Sequence, residues 1–169
     1  AEVGRFVERR EARGRRGGAL VVVTADHGEG LGSHPGVSDS SGHGKHLYRS
    51  VVHVPLLMVH AAGRLPAGRT VREPVRLLDV APTILDYLGL PALPDAVGVS
   101  LLPFLESPPR PAGVPDEIFA ETRFQGFDSV SVRTPGWRYY VHRRPLDGQG
   151  ASELQQVGES EDGLNTDRR

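Results

Sequence analysis

The chain has 169 residues, a formal net charge of −1 and no cysteine. So small a net charge raises no field that would draw nucleic acid or an acidic membrane. Without cysteine neither a disulfide framework nor a thiolate zinc site can form, and no apolar run approaches the roughly 20 residues of a membrane span.

From the amino end, Val3, Phe6 and Val7 fall at helical spacing among Glu and Arg residues. That spacing predicts an amphipathic helix with its apolar face on a sheet, ending in the Arg13–Gly18 turn. The chain opens on Ala1 inside this pattern, so the expectation is of a piece whose upstream part lies elsewhere. Localisation is left open among periplasmic, secreted and cytoplasmic. Ala19–Thr24 follows as an apolar, β-branched run after Gly17-Gly18. A run apolar on both faces suits a buried parallel strand, and a helix feeding such a strand is half of a βαβ unit, which points to an α/β fold.

The strand stops at Asp26-His27-Gly28. In open α/β sheets ligands sit beyond the carboxyl ends of strands. An adjacent carboxylate and imidazole offer a divalent cation one hard oxygen and one nitrogen, and Gly28, Gly30 and Gly32 let the backbone turn tightly and approach a ligand. From Ala25 to His46 runs a long loop rich in Gly, Ser and His, a length usually kept for function or disorder. Six of the seven histidines lie between His27 and His60, which favours function. His27 is the best ligand. His43, within Gly-His-Gly, can come close to a bound anion and act as a general acid. His46 and His53 are expected to pack partly exposed, and His60 to end a strand. Lys45 is the only lysine among 20 basic residues. An ammonium is a compact point charge where guanidinium is a broad fork, so a tight anion pocket would select it.

Leu56–Val59 reads as a second sheet strand, with Pro55 where a missing N–H is tolerated. Residues 61–68 form a turn-rich connection and Val71–Leu77 a short extended piece. Asp79–Leu88 reads as a helix capped by Asp79 and closed by Gly89, with Val80, Ile84, Tyr87 and Leu88 on one face and Asp86 towards solvent. Pro91–Pro115 is proline-rich and reads as a linker wrapped over the surface. Glu117–Glu121, Ser129–Thr134 and Trp137–His142 predict a small antiparallel sheet. The polar tail Gly158–Arg169 is expected to be disordered.

The order of these motifs resembles the sulfatase family of the alkaline phosphatase superfamily. Thr24-Ala25-Asp26-His27-Gly28-Glu29-Gly30-Leu31-Gly32-Ser33-His34 is similar to the family's DHGE-x-LG-x-H segment. Gly42-His43-Gly44-Lys45, Leu47-Tyr48 and Val54-Pro55-Leu56 follow in the family's order, and Leu78-Asp79-Val80-Ala81-Pro82-Thr83-Ile84-Leu85-Asp86 resembles its DLAPTLLD helix. Leu88-Gly89-Leu90-Pro91 and Gly98–Pro103 continue the likeness to about Leu105; beyond that it is weak, with Gln155 and Gln156 where the family's ending has Tyr and Asp. Two nearer departures are Ala25 for a Ser and Arg49-Ser50 for an acidic pair.

The resemblance implies part of an alkaline phosphatase-like α/β/α sandwich over 1–105, then a linker and a small antiparallel subdomain over 106–169. It implies that Asp26 and His27 ligate a metal, with calcium expected and manganese, zinc or magnesium as alternatives. Lys45 matches the lysine that contacts sulfate, and His34 matches a loop histidine near the substrate, beside His43. The family nucleophile, a formylglycine made in a C/S-x-P-x-R motif, is absent; Ser107-Pro108-Pro109-Arg110 is out of register with it. The expected substrate is a sulfate ester, small molecule or glycan. The alternatives are phosphonate or phosphodiester hydrolysis, phosphoryl transfer, or a truncated domain without turnover. The chain by itself is expected to be catalytically silent, and its oligomeric state is left open.

Overall fold

The computed structural model describes residues 4–6, 9, 18–32, 34, 37, 41–60, 65–106 and 114–157. Residues 4–6 and 9 are helical. Val3 and Val7 lie outside the described residues, and Phe6, expected on a sheet-facing side, is exposed. Most of the Arg13–Gly18 turn, residues 61–64, Ser107–Arg110 and the tail Gly158–Arg169 also lie outside them.

The β-branched run forms β1 (Leu20–Thr24), and Leu56–His60 forms β2. The two pair antiparallel, from Leu20↔His60 to Thr24↔Leu56. This corrects the parallel arrangement read from the run. Parallel neighbours need a crossover of a dozen or more residues, usually helical; the described residues between β1 and β2 hold a loop and a single helical turn, α1 (Arg49–Val52). An apolar run on both faces predicts burial but carries no strand direction. Burial is also less than expected: Leu20–Val23 are half-buried, and Leu57 and Val59 are exposed.

The exit of β1 is pressed onto α1. Gly28 N donates to Val51 O at 2.7 Å, and a Cβ on Gly28 would lie 2.1 Å from Ser50 O. Only glycine permits this approach. Ahead of α1, His46, Leu47 and Tyr48 are all buried. The expected partial exposure holds for neither His46 nor His53: His46 lies beside the Tyr48 ring with centroids 5.0 Å apart, and His53 is exposed. His60 ends β2 as expected and meets Tyr87 edge-on at 5.5 Å.

A 3-10 turn (Leu77–Asp79) leads into α2 (Val80–Leu88), which closes on Gly89 at φ 65°. Asp79 is not a simple cap. It is fully buried, and its carboxylate accepts from Arg76 N, Nε and a terminal nitrogen and from Val99 N, at 2.7–3.1 Å. A charge so deep persists because it is paired and fully hydrogen-bonded. The buried positions of α2 are Thr83 and Tyr87; Val80 and Ile84 are half-buried and Leu88 is exposed. Thr83 Oγ1 donates to Asp79 O at 2.6 Å and accepts from Leu101 N at 2.9 Å. This draws part of the expected linker inwards: Leu101 and Phe104 are buried, the latter in α3 (Pro103–Glu106).

The C-terminal sheet has four antiparallel strands in the order β3-β4-β5-β6: β3 (Ile118–Phe124), β4 (Phe127–Arg133), β5 (Trp137–Arg144) and β6 (Ser152–Gln156). Three were expected. Ser152–Gln156 has no β-branched residue, and pairing with β5 makes it a strand. Tyr140 on β5 packs with Leu47 and Tyr48, flanked by Val37, Val52 and Ala120. The core thus lies between the histidine-rich loop and this sheet.

Candidate active site

Asp26 and His27 leave β1 at its carboxyl end. His27 N donates to Asp26 Oδ1 at 3.0 Å, and His27 Nδ1 lies 2.8 Å from Gly28 O. A carbonyl only accepts, so Nδ1 carries the proton and the neutral ring keeps its lone pair on Nε2. That nitrogen lies 3.7 Å from Asp26 Oδ2. A lone pair and a carboxylate oxygen side by side, with the tautomer set by a carbonyl behind the ring, suit a divalent cation. The Asp26 side chain is 90% exposed. No group of three or more metal-ligating side chains occurs among the described residues, so the pair fits as part of a ligand set.

His43 reaches this pair from the other arm of the loop. Its ring stacks on that of His27, centroids 4.0 Å apart, and its Nδ1 lies 3.2 Å from Glu29 Oε2. Gly30 N donates to Gly42 O at 2.9 Å and ties the two arms together. The hydrogen bond from His43 holds the Glu29 carboxyl below its usual range. Beside His43, Gly44 adopts φ 84°, and a Cβ there would sit 3.0 Å from the Phe124 ring. The Gly44 carbonyl accepts from Thr122 Oγ1. Lys45 Nζ stands 5.7 Å from the centre of the Phe127 ring. Asp26, His27, Glu29 and His43 are thereby brought together, with Lys45 two residues on.

His34 is placed in a second cluster. Its ring lies flat on Tyr48, centroids 3.3 Å apart, and its Nε2 is 3.4 Å from Gln155 Nε2. Burial pushes the His34 ring below the usual histidine range. Tyr48 donates to Glu153 Oε1 and accepts from Gln149 Nε2, both at 2.9 Å, and burial drives its phenol strongly upwards. Burial also raises Glu153, but the hydrogen bonds from His142 and Tyr48 outweigh it and hold the carboxyl below its usual range. His142 Nε2 lies 3.2 Å from Glu153 Oε1, with Nδ1 2.9 Å from Ser129 Oγ. This Ser-His-Glu line has the connectivity of a nucleophile triad, but Ser129 is fully buried and His142 is 3% exposed, so no substrate reaches it. Sequence reasoning missed this network. The signal available was Arg138, Tyr140 and His142 at alternate positions of one strand, an inward polar face.

A sequence model of the Sulfatase family matches residues 1–90. The chain belongs to the Sulfatase family. Arylsulfatase K of Mus musculus is 36% identical over 134 residues, which cover 73% of this chain and 22% of that protein. The chain therefore spans about a fifth of the length of this relative. Among solved structures, a protein in complex with its substrate D-glucosamine-2-N,6-O-disulfate matches with a TM-score of 0.73 and 23% identity, over 95% of this chain and 31% of that one. A phosphonate monoester hydrolase from Silicibacter pomeroyi matches with a TM-score of 0.68 and 25% identity, over 95% and 32%. These likenesses show the expected α/β, alkaline phosphatase-like fold. Sulfatases are generally metal-dependent, which agrees with the chemistry of the Asp26–His27 pair.

Proposed function

We propose that this chain carries the metal-facing and anion-facing part of a site that hydrolyses sulfate esters, of a small molecule or a glycan. The observation that carries the reading is the arrangement at the end of β1: His27 fixed as the Nδ1–H tautomer by Gly28 O, with its Nε2 beside Asp26. Asp26 and His27 would hold the cation, which supplies positive charge against the sulfuryl oxygens. Calcium is the proposed metal; manganese, zinc and magnesium suit the nitrogen ligand as well. Lys45 binds the sulfate and stabilises the charge that grows on it. His43, held at Nδ1 by Glu29, gives a proton from its other ring nitrogen to the leaving oxygen. His34, stacked on Tyr48, anchors the loop and approaches substrate only through it. The nucleophile, a formylglycine, belongs to a segment other than this one. Residues 1–105 form part of the catalytic domain and 106–169 a linker with a small C-terminal subdomain.

The likeness to a phosphonate monoester hydrolase favours a second reading, hydrolysis of phosphonate or phosphate esters by the same groups. The test is the intact protein assayed with an aryl sulfate and an aryl phosphonate, alongside elemental analysis of Asp26→Ala and His27→Ala. We expect preference for the sulfate, and loss of both bound divalent metal and turnover in either variant. Unchanged metal content in both variants would remove the assignment; preference for the phosphonate would select the second reading.

A further inference from the structure

We infer that the β3–β4 hairpin positions Lys45, making Thr122 and Phe127 positioning residues for the anion site. The inference rests on the reading of Lys45 as the anion contact. Three separate contacts carry it. Thr122, 78 residues along the chain from Gly44, donates its hydroxyl to the Gly44 carbonyl, the peptide that leads into Lys45. The Phe124 ring fills the space where a Gly44 side chain would be, 3.0 Å from the Cβ position, and so braces a backbone held at φ 84°. The Phe127 ring stands 5.7 Å from Lys45 Nζ, within the range in which an aromatic face attracts an ammonium.

The hairpin is built to be rigid. Its two-residue turn, Gln125 at φ 49° and Gly126 at φ 89°, has both residues in the left-handed region that suits the twist of tight hairpins. Phe124 and Phe127 face each other across it. Below the turn, Asp128 accepts from Arg123 at 3.2 Å and from Arg143 at 3.3 Å, bracing β3, β4 and β5 together. A lysine side chain has four rotatable bonds and loses much freedom when its ammonium is fixed. Fixing its peptide from one side and its charge from the other removes part of that cost before substrate arrives, which is preorganisation.

Inorganic sulfate and inorganic phosphate serve as probes. Their affinity for the intact protein is measured by calorimetry for wild type, Thr122→Val, Thr122→Ser and Phe127→Leu, with thermal unfolding and aryl sulfate kinetics on the same samples. Valine keeps the shape of threonine and loses the donor; serine keeps the donor. We expect Thr122→Val to weaken anion binding about fivefold, as loss of one hydrogen bond does, and Thr122→Ser to restore it. Phe127→Leu should weaken it by roughly twofold to fivefold. KM should rise with the anion dissociation constant while the unfolding temperature stays near that of wild type. Wild-type anion affinity in both Thr122→Val and Phe127→Leu would overturn the inference. So would a Thr122→Ser protein as weak as Thr122→Val, or a loss that follows the unfolded fraction alone. A wild type that binds sulfate but shows no effect of the variants refutes this inference only; one that binds neither anion refutes the proposed function and this inference with it.

Discussion

The imidazoles of His27 and His43 lie stacked, ring centroids 4.0 Å apart and planes 24° from parallel. One ring is oriented by a backbone carbonyl, Gly28 O, and the other by a carboxylate, Glu29. Two histidines in contact thus have different work: one offers a lone pair to a cation, and the other is held ready to exchange a proton.

Glu29→Gln should therefore impair catalysis and leave metal binding largely intact. An amide can bond His43 Nδ1 either as donor or as acceptor, so it no longer selects one tautomer. Loss of such an orienting partner typically costs 10–100-fold in activity, and we expect about tenfold or more in kcat. The Glu29 carboxyl is held below its usual range by the bond from His43, so it stays ionised well into acid. Activity should fall as pH drops through its depressed value and through protonation of His27, which must be neutral to ligate. A kcat–pH profile of wild type and Glu29→Gln checks this; identical acid limbs and rates would remove Glu29 from the mechanism.

Lys45→Ala should lower kcat/KM by about 10²-fold or more, because removing a preorganised charge from a developing anion costs ~2.7–4 kcal/mol. Lys45→Arg should recover only part of it, since the planar guanidinium needs more room than an ammonium beside the Phe127 ring. Steady-state kinetics with an aryl sulfate decide the matter, and wild-type rates for Lys45→Arg would show that any cation serves there.

Gly28→Ala should destabilise the protein by about 1–3 kcal/mol, the usual range for forcing extra volume into a packed site. The new methyl would lie 2.1 Å from Ser50 O, so α1 must move away from the end of β1. The same shift displaces Gly28 O, which orients His27, so metal affinity should fall as well. Chemical denaturation and metal titration of the variant measure the two effects.

Stability should decline in acid in two stages. Burial holds the His34 ring below its ordinary value of 6.5, so its neutral form stabilises the fold above that pH and the contribution is lost as pH falls through the lowered value. Glu153, held below its ordinary 4.5 by His142 and Tyr48 against the effect of burial, stabilises the fold above 4.5 and loses that contribution at still lower pH. Glu153→Gln should flatten the lower stage and leave the upper one. Unfolding temperature measured against pH from 7 down to about 3 resolves both, and an unchanged profile in Glu153→Gln would mean that its charge contributes nothing to the fold.

The residues of the candidate metal and anion groups are legible in the linear chain because the properties that mark them are local. An apolar run that stops at Asp26-His27-Gly28 announces a strand end with ligating side chains, and a single lysine between Gly44 and His46 stands out by composition. The helix before Gly89 and the hairpins after Pro115 follow from spacing and turn residues in the same way. Tertiary structure decided what depends on which faces meet. The antiparallel pairing of β1 with β2 follows from a connection too short in helix to cross over. The burial of Asp79 depends on Arg76 and on Val99, twenty residues away. His34 went to Tyr48 because a flat ring of matching size lies across the loop from it. Ser152–Gln156 became a strand because β5 offered it an edge. The hairpin that braces Lys45 is far from it along the chain, and no spacing rule joins residues so distant; they meet only because the core between Tyr48 and Tyr140 closes the sheet onto the loop.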